Sequence, residues 1–351
     1  MKQYLVDLIK INGPISISAF MNEALFNQKY GYYTNSKPIG KEGDFITSPE
    51  ISQTFGELIG AYLVNLWQNN YESQEISLVE MGAGKGTLIK DLLRFASKIP
   101  NFLDKVSINI VEISPKLQKI QKECLKNHKI NWHNDFIAFK EQNKNKPIFF
   151  ISNELFDCFA INQYVKIDGF WVERLVGLSK NEELLFVLGN KNEAINKKIS
   201  QLTNNKGRSG DVFEHSPASD EFMSILSKSI KGTKGIALII DYGCFTCNNF
   251  NDTLQALKNH KYSNIFKDLG QSDITAHVNF AYLKEIAQKE NLQTWLINQK
   301  EFLESLGIEI RRKNLIKDKS TKEQDLINSS INRLIDKDQM GELFKVLILS
   351  T

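Results

Sequence analysis

The sequence predicts an α/β protein in which helices cover both faces of a mostly parallel sheet. Three observations support this fold class. Short runs rich in β-branched residues alternate with amphipathic helical stretches along much of the chain. A glycine-rich turn joins the first of these runs to a helical stretch, as in strand–helix–strand units. The 351 residues, of which 42% are hydrophobic, suffice for one large domain with an additional lobe.

The composition excludes several classes of protein. The net charge of +3 provides no overall field for nucleic acid. No run approaches the roughly eighteen apolar residues of a membrane span, and the N-terminus lacks the apolar segment and cleavage site of a signal peptide. The four cysteines are too few for a disulfide framework, so a reducing compartment is expected.

Residues 1–72 are predicted to form an N-terminal helical region. Ser16 or Ser18 is expected to cap a helix through Ala19–Leu25, because a short polar side chain directly before an apolar periodic stretch favours a helix start. The following stretch, Gly31–Asp44, is predicted to be a loop.

A second, longer helix is predicted to begin at Ser48. Serine is a favoured N-cap residue, and Pro49 would occupy the first helical position, where its missing N–H has no intrahelical partner. Apolar residues then recur at helical spacing as far as about Trp67, so one continuous helix is expected.

The first part of the sheet domain is predicted to span residues 73–160. Its strands are expected at Ile76–Met81, Val106–Val111, Ile130–His133 and Pro147–Ser152. The helices that connect the first three are expected at Thr87–Ser97 and Pro115–Leu125. Strands and helices that alternate with short turns imply parallel pairing.

Residues 161–218 interrupt this alternation and are predicted to form an inserted antiparallel lobe, with Asp168-Gly169 as a hairpin turn. Its strands are expected at Gln163–Ile167, Trp171–Gly177 and Leu184–Leu188. Residues 219–351 are predicted to complete the sheet domain. Its remaining elements are helices at Ser219–Ser229 and Phe280–Glu290 and strands at Ile236–Asp241, Gln293–Ile297 and Phe344–Leu349.

The turn after the first sheet strand has the pattern Glu80-x-Gly82-x-Gly84-x-Gly86. An ATP-binding P-loop is not favoured, because its lysine precedes Ser or Thr, whereas Lys85 precedes a glycine. In a dinucleotide-binding turn the third glycine comes one residue later. The remaining pattern resembles motif I of the class I S-adenosylmethionine (SAM) methyltransferases.

The chemistry of SAM suits these residues. Its methionyl part carries an ammonium and a sulfonium, so the carboxylate of Glu80 beside the turn is expected to bind it. Gly82 and Gly84 let the backbone approach a ligand without a Cβ in the way, and Gly86 completes the triad. A P-loop or dinucleotide turn would instead place a phosphate at the helix N-terminus.

Two further carboxylates follow the next two predicted strands. Glu112 is expected to accept both ribose hydroxyls, as an acidic residue does in dinucleotide folds, and Asp135 is expected to meet the adenine edge. Ligands of open α/β sheets bind outside the carboxyl ends of the strands. The sequence therefore predicts the cofactor site at this edge of the sheet.

The fourth predicted strand is followed by a polar cluster of Asn153, Glu154 and Asp157, where the methyl acceptor is expected. An alternative is that these residues only begin a helix, with carboxylates in its first turn. Methyltransferases that act on nucleic-acid amino groups usually carry an aromatic residue here to stack on a flipped base. That aromatic residue belongs to a tetrapeptide of the type Asn-Pro-Pro-Tyr or Asp-Pro-Pro-Tyr, which this chain does not carry.

With these features the chain resembles the MidA-like family, which includes the mitochondrial complex I assembly-factor protein arginine methyltransferase. Besides motif I, the matching stretches are Gly13–Ile15, Tyr30–Tyr33, Gly43–Glu50, Phe55–Glu57, Val111–Pro115, Asn153–Asp157, Asp241–Gly243, Asp252–Ala256, Asp273–Val278 and Met340–Phe344. The resemblance implies a class I Rossmann-like domain that uses SAM. It also implies symmetric dimethylation of an arginine on a subunit of respiratory complex I or its bacterial equivalent.

The resemblance also assigns roles to residues of this chain. The N-terminal region, with Ser48 and Pro49, would cover the cofactor. Apart from the resemblance, the chemistry of a guanidinium indicates Glu154 and Asp157, beside Asn153, as the carboxylates that would clamp the acceptor, and His277 would relay the released proton unless it is an ordinary core or loop histidine.

The remaining expectations concern partners and alternative functions. No metal is expected, because Cys244-x-x-Cys247 has no second pair of ligands. The expected partner is a protein substrate, with a homodimer possible, in the cytoplasm of a bacterium or the mitochondrial matrix for eukaryotic relatives. The alternatives are a methyltransferase-fold assembly factor, or a methyltransferase for a small molecule or another side chain.

Overall fold

The computed structural model describes residues 1–35, 46–204, 206–246 and 250–351. The chain divides into two compact units. The first contains the described residues of Met1–Phe45, Phe156–Phe222 and Thr246–Tyr282. The second contains the described residues of Ile46–Leu155, Met223–Phe245 and Leu283–Thr351.

The strands, in chain order, are β1 (Ile15–Ser16), β2 (Ile76–Met81), β3 (Val106–Val111), β4 (Ile130–His133), β5 (Ile148–Asn153), β6 (Asn162–Ile167), β7 (Phe170–Leu178), β8 (Leu184–Leu188), β9 (Val212–His215), β10 (Ile236–Cys244), β11 (Gln255–Lys258), β12 (Lys261–Ser263), β13 (Asp273–Thr275), β14 (Val278–Asn279), β15 (Gln293–Asn298) and β16 (Phe344–Ser350).

The α-helices are α1 (Lys2–Asn12), α2 (Ile17–Phe26), α3 (Tyr32–Asn35), α4 (Ser48–Ile51), α5 (Gln53–Asn70), α6 (Thr87–Ala96), α7 (Phe102–Lys105), α8 (Pro115–Cys124), α9 (Phe136–Gln142), α10 (Glu193–Leu202), α11 (Pro217–Thr233), α12 (Phe280–Lys289), α13 (Gln299–Ser305), α14 (Ile308–Ile316) and α15 (Thr321–Ile335). A 3₁₀ turn spans Phe156–Cys158, and a π-helical turn spans Lys337–Gly341.

The second unit is built on a mixed sheet with the strand order β15-β16-β10-β5-β2-β3-β4. Strands β10, β5, β2, β3 and β4 pair in parallel, and β16 pairs antiparallel with both β10 and β15. The predicted α/β fold class with a mostly parallel sheet is confirmed. The chain runs from β2 outward to β4 and returns to β5, so the strand order reverses between β2 and β5, where such sheets bind ligands.

The core of the second unit lies around this sheet. All six residues of β5 and the first six of β10 are buried, as expected of parallel strands covered on both faces. Helices α5 and α6 pack closely through two glycines of α5. A Cβ at Gly56 would lie 2.7 Å from the Cβ of Asp91, and one at Gly60 would lie 3.1 Å from the carbonyl oxygen of Leu92.

The helix that was predicted to start at Ser48 differs from the observed structure in two respects. Its N-cap residue is Thr47, so Ser48 is already the first helical residue. The helix also stops at Ile51, because Ser52 is extended (φ −152°) and its side chain accepts a hydrogen bond from the N–H of Thr54 to begin α5. The prediction of one continuous helix was therefore wrong. A serine side chain that hydrogen-bonds to a nearby backbone N–H can replace the hydrogen bonds that would continue a helix.

The first unit contains two antiparallel sheets. One has the order β1-β7-β6-β9 with β8 also paired to β7, and the other has the order β12-β11-β13. The predicted cap of α2 is confirmed at Ser16, whose Oγ accepts a 3.0 Å hydrogen bond from the N–H of Ala19. The predicted loop Gly31–Asp44 was wrong for Tyr32–Asn35, which forms α3, and its residues 36–44 lie outside the described residues.

Candidate active site

The glycine turn joins β2 to α6 in a conformation that needs glycine. The φ angles of Gly82, Gly84 and Gly86 are +72°, +53° and +83°, a region that side-chain-bearing residues disfavour. The N–H of Gly86 donates to the carbonyl oxygen of Ala83 at 2.7 Å, which closes the turn. A Cβ on Gly82 would also lie only 2.9 Å from Cδ1 of Leu155.

Glu80, which the sequence assigned to the cofactor, lies next to the end of β2 and is 3% exposed. Among the described residues its Oε2 has no hydrogen-bond partner. Burial is the main cause that raises the pKa of this carboxyl to about 8, while a hydrogen bond from the backbone of Ile89 opposes the rise and the charge of Glu112 adds to it. A buried carboxylate oxygen without a donor is costly, so the site is suited to a cationic ligand.

Glu112 follows the end of β3 and is also buried. Its Oε1 accepts a 2.8 Å hydrogen bond from the N–H of Ser114, and its Oε2 accepts one of 3.1 Å from Nε2 of Gln121. Burial raises the pKa of Glu112, and these hydrogen bonds oppose the rise. The sequence did not single out Gln121, because nothing in the local pattern distinguishes it from other polar residues of a lysine-rich helix.

Asp135 follows β4 and is exposed. Its Oδ1 accepts a 2.8 Å hydrogen bond from the N–H of Ala138, so it is the N-cap of α9, a helix that was not predicted. A carboxylate can accept several hydrogen bonds, and the predicted contact of Asp135 with adenine stays a prediction.

The polar cluster after β5 is held by a network of hydrogen bonds. Oε1 of Glu154 accepts from the N–H of Ser48 at 3.2 Å and from Nδ2 of Asn153 at 3.0 Å. Because a carboxylate accepts only, the amide nitrogen of Asn153 must face Glu154. Oδ1 of Asn153 is then buried without a hydrogen-bond partner in the described part of the chain.

The backbone of this cluster is strained. Glu154 has φ +53°, which is unusual for a residue with a side chain and is often found at functional sites. The next N–H, of Leu155, donates to Oδ2 of the fully buried Asp241 at 3.0 Å, and the N–H of Tyr242 donates to Oδ1 at 2.9 Å. The cluster ends in the 3₁₀ turn Phe156–Cys158, which contains Asp157, so the alternative of an α-helix start does not occur.

Helix α4 contacts both the glycine turn and Glu154. The backbone N–H of its first residue, Ser48, bonds Glu154, and the Ser48 hydroxyl donates to Oε1 of Gln299 at 3.4 Å. Further along, Glu50 accepts a hydrogen bond from the Thr87 hydroxyl, and its Oε2 lies 3.7 Å from Nζ of Lys85. The predicted roles of Ser48 and of Pro49 toward the cofactor stay predictions.

The other two predicted catalytic residues lie in the first unit. The carbonyl oxygen of Asp157 accepts a 3.1 Å hydrogen bond from the N–H of Ala276, next to His277. The N–H of His277 donates to the hydroxyl oxygen of Thr253 at 2.9 Å. The first unit therefore brings Asp157 beside the segment that carries His277.

The same unit holds an acidic residue that the sequence did not single out. The Tyr33 hydroxyl lies 3.1 Å from Oδ1 of Asp273. Burial, together with the charges of Asp273 and Asp157, raises the pKa of Tyr33 well above its usual value. Tyr33 and Asp273 are far apart in the chain, so only the fold brings them together.

The described residues hold no group of three or more side chains suited to a metal ion. Cys244 is the last residue of β10, whereas Cys247 lies outside the described residues. None of the helices in the described ranges is long and apolar enough to cross a membrane.

Together these features suit a cofactor with an adenosyl group and an amino-acid tail. The glycine turn and the ends of β3, β4 and β5 meet at the carboxyl edge of the sheet, where strand order reverses. Glu80 supplies an unpartnered buried carboxylate oxygen, and the positive φ angles of the turn allow close approach by a ligand. The residues present therefore fit SAM.

Comparison with known proteins leads to the same cofactor. A family of S-adenosyl-L-methionine-dependent methyltransferases matches residues 58–297 of the chain. The mitochondrial protein arginine methyltransferase NDUFAF7 of Xenopus laevis is 33% identical over 370 residues, covering 97% of this chain and 82% of its own length. The protein of the same name from Homo sapiens is 31% identical over 378 residues, with 99% and 83% covered.

The fold has a close counterpart among solved structures. A Burkholderia thailandensis protein bound to S-adenosyl-homocysteine matches with a TM-score of 0.85 at 22% identity. The match covers 100% of this chain and 91% of the other. At that identity the likeness shows the fold alone. The family match and the near-complete relatives show that the chain belongs to the MidA-like family of S-adenosyl-L-methionine-dependent methyltransferases.

Proposed function

We propose that the chain is a protein arginine N-methyltransferase that forms symmetric dimethylarginine on a subunit of respiratory complex I or its bacterial equivalent. The observation that carries this proposal is the pair of acceptors after β5. The carboxylate of Glu154 lies beside the buried, unpartnered Oδ1 of Asn153. A guanidinium offers five N–H donors in a plane, which suits such a set of acceptors. The names of the curated relatives support the same acceptor.

Our proposal assigns the cofactor to the glycine-turn side of the site. Bound SAM supplies a methyl group on a positively charged sulfur. Glu80 would hold its ammonium, Glu112 its ribose hydroxyls and Asp135 its adenine edge. Gly82, Gly84 and Gly86 let the backbone of the turn approach the cofactor closely. Ser48 and Pro49 would contribute from α4.

The acceptor side would act mainly by orientation. A protonated guanidinium, with a pKa above about 12, is a poor nucleophile. Two N–H groups bonded to Glu154, with a third bonded to Oδ1 of Asn153, would aim one terminal nitrogen along the line of displacement. Ser48 and Asp241 hold the Glu154 side chain and the following backbone, so the carboxylate is pre-positioned.

The proton released from the guanidinium needs an acceptor. We assign this role to His277, with Asp157 as a second carboxylate for the acceptor. The hydrogen bond between Thr253 and the His277 N–H fixes the backbone of this histidine within the first unit. An imidazole that titrates near neutral pH is suited to passing a proton to solvent.

Transfer of labelled methyl groups separates the candidate functions. The chain is incubated with methyl-labelled SAM and candidate acceptor proteins, and the products are identified by mass spectrometry. Label on an arginine of a protein supports the proposal. Label on a small molecule or on another side chain, or SAM binding with no transfer to any acceptor, would favour the alternatives.

The proposal includes a homodimer in the bacterial cytoplasm, or in the mitochondrial matrix for eukaryotic relatives, and light scattering tests the dimer.

Cofactor binding should depend on pH through Glu80. The ionised carboxylate binds the ammonium, and burial raises the pKa of the free group to about 8. The affinity for S-adenosylhomocysteine should therefore fall by up to tenfold per pH unit as the pH drops below about 8, because binding then releases a proton.

Calorimetric titration in buffers of different ionisation enthalpy measures that released proton. Glu80→Gln should bind more weakly at pH 8 and should lose this pH dependence. An affinity that is the same from pH 6 to pH 8.5 in the unaltered protein would contradict the role of Glu80.

A further inference from the structure

Gln121 lies in α8 and is fully buried, although the helix is rich in lysine. Its Nε2 lies 2.9 Å from the carbonyl oxygen of Gly84 and 3.1 Å from Oε2 of Glu112. Its Oε1 accepts a 3.1 Å hydrogen bond from the indole N–H of Trp132 in β4. One amide therefore joins the glycine turn, the end of β3 and the strand β4.

The direction of this amide is set by its partners. An indole N–H can only donate, whereas a carbonyl oxygen and a carboxylate can only accept. Trp132 must therefore face the oxygen of Gln121, and Gly84 and Glu112 must face its nitrogen. Each polar atom of the Gln121 side chain has a partner of the matching kind. A flipped amide would oppose like groups at every one of these contacts.

We propose that Gln121 is a positioning residue for SAM, which fixes the Glu112 carboxylate and the Gly84 carbonyl relative to each other. Glu112 is expected to bind the ribose, and the glycine turn is expected to follow the methionyl part. The Gln121 nitrogen ties these two halves of the cofactor site together. The inference concerns the cofactor alone and does not depend on the identity of the methyl acceptor.

The hydrogen bond to Glu112 also has an electrostatic consequence. Burial raises the pKa of Glu112, and the Gln121 N–H opposes that rise because it stabilises the ionised form. An ionised carboxylate can accept two hydroxyl hydrogens, whereas a protonated one must donate one hydrogen itself. Gln121 thus favours the form of Glu112 that binds a ribose.

The test is the affinity for S-adenosylhomocysteine, measured by calorimetry on the full chain, with thermal unfolding recorded for every variant. Gln121→Leu should bind about ten- to a hundredfold more weakly, since it removes a hydrogen bond to a charged group. Trp132→Phe keeps the aromatic ring but leaves the Gln121 oxygen without its donor, so the amide is held less firmly, and it should weaken binding by about three- to tenfold.

The matched control is Gln118→Leu. Gln118 lies one turn earlier in α8, and its Nε2 donates to the backbone carbonyl of Glu112 at 2.7 Å and not to the carboxylate. Its replacement should change the affinity by less than about twofold, because it leaves the carboxylate and the glycine turn as they are.

A double-mutant cycle distinguishes positioning from general structural support. If Gln121 acts through Glu112, the losses of affinity caused by Gln121→Leu and by Glu112→Gln should not multiply. The double variant should then bind about as weakly as the single variant with the lower affinity. A double variant whose loss of affinity equals the product of the two single losses would overturn the proposal. So would a folded Gln121→Leu protein with unchanged affinity. Should Gln121→Leu fail to fold, unchanged affinity in Trp132→Phe overturns it as well.

Discussion

Gly84→Val should reduce the affinity for S-adenosylhomocysteine by at least about a hundredfold and leave a folded protein. Gly84 has φ +53°, where a β-branched residue is strained by about 1–2 kcal/mol. Its carbonyl oxygen is held by Gln121, so the turn cannot relax without losing that hydrogen bond. A valine side chain would also occupy the space through which the cofactor approaches the backbone.

A glycine elsewhere separates strain from cofactor binding. Gly169, in the hairpin turn of the first unit, has φ +83°, and a Cβ there would meet nothing within 4 Å. Gly169→Val should lower the unfolding temperature as much as Gly84→Val does, yet bind S-adenosylhomocysteine normally. Normal affinity in a folded Gly84→Val protein would show that the cofactor site has been put in the wrong place.

Glu154→Gln should retain cofactor binding and lose about ten- to a hundredfold in turnover. The glutamine oxygen can still accept from the N–H of Ser48 and from Asn153, so the side chain keeps its position. The loss is the charge that strengthens a bond to a guanidinium, worth roughly 1.5–3 kcal/mol, at about 1.4 kcal/mol for each tenfold in rate. The deficit should appear in kcat and not in cofactor affinity.

Two further variants serve as comparisons for Glu154→Gln. Asp157→Asn should be milder, because under our proposal Asp157, in the short 3₁₀ turn that ends the cluster, is only a second carboxylate for the acceptor. The exposed Glu123→Gln on α8 serves as the control for a simple loss of charge and should leave turnover unchanged. If Glu154→Gln retained full turnover with the cofactor bound, the carboxylate clamp would be wrong. The acceptor site would then have to be sought near Tyr33, Ser48 and His277.

The sheet was predictable because its strands are continuous apolar runs bounded by turns. The predicted bounds of Ile76–Met81, Val106–Val111, Ile130–His133 and Leu184–Leu188 agree with the structure. The glycine turn could be located for the same reason, since a strand, alternate glycines and a helix follow one another directly in the chain.

Other features depend on contacts between distant residues. Gln121 and Asp241 become important only when α8 meets the glycine turn and β10 meets the end of β5. The positive φ of Glu154 follows from its surroundings, because glutamate alone disfavours it. The break at Ser52 carries no proline or glycine, so apolar periodicity runs through it undisturbed.

Two capping boxes in the sequence mark the starts of helices in the C-terminal part of the chain. Asn298 and Glu301 form a capping box at α13, and Ser320 and Glu323 form another at α15. Such a pair at a spacing of three residues marks a helix start. Neither of the two helices that follow is nevertheless among the predicted elements.

We propose that the chain transfers the methyl group of SAM to an arginine held by Glu154. The most direct measurement is the identity of the methylated residue in the acceptor protein, determined by mass spectrometry after reaction with the unaltered chain and with Glu154→Gln at saturating SAM. We predict symmetric dimethylarginine with the unaltered chain and a ten- to hundredfold slower appearance of it with the variant. Methyl label on any other residue type, or equal rates for the two proteins, would contradict the account.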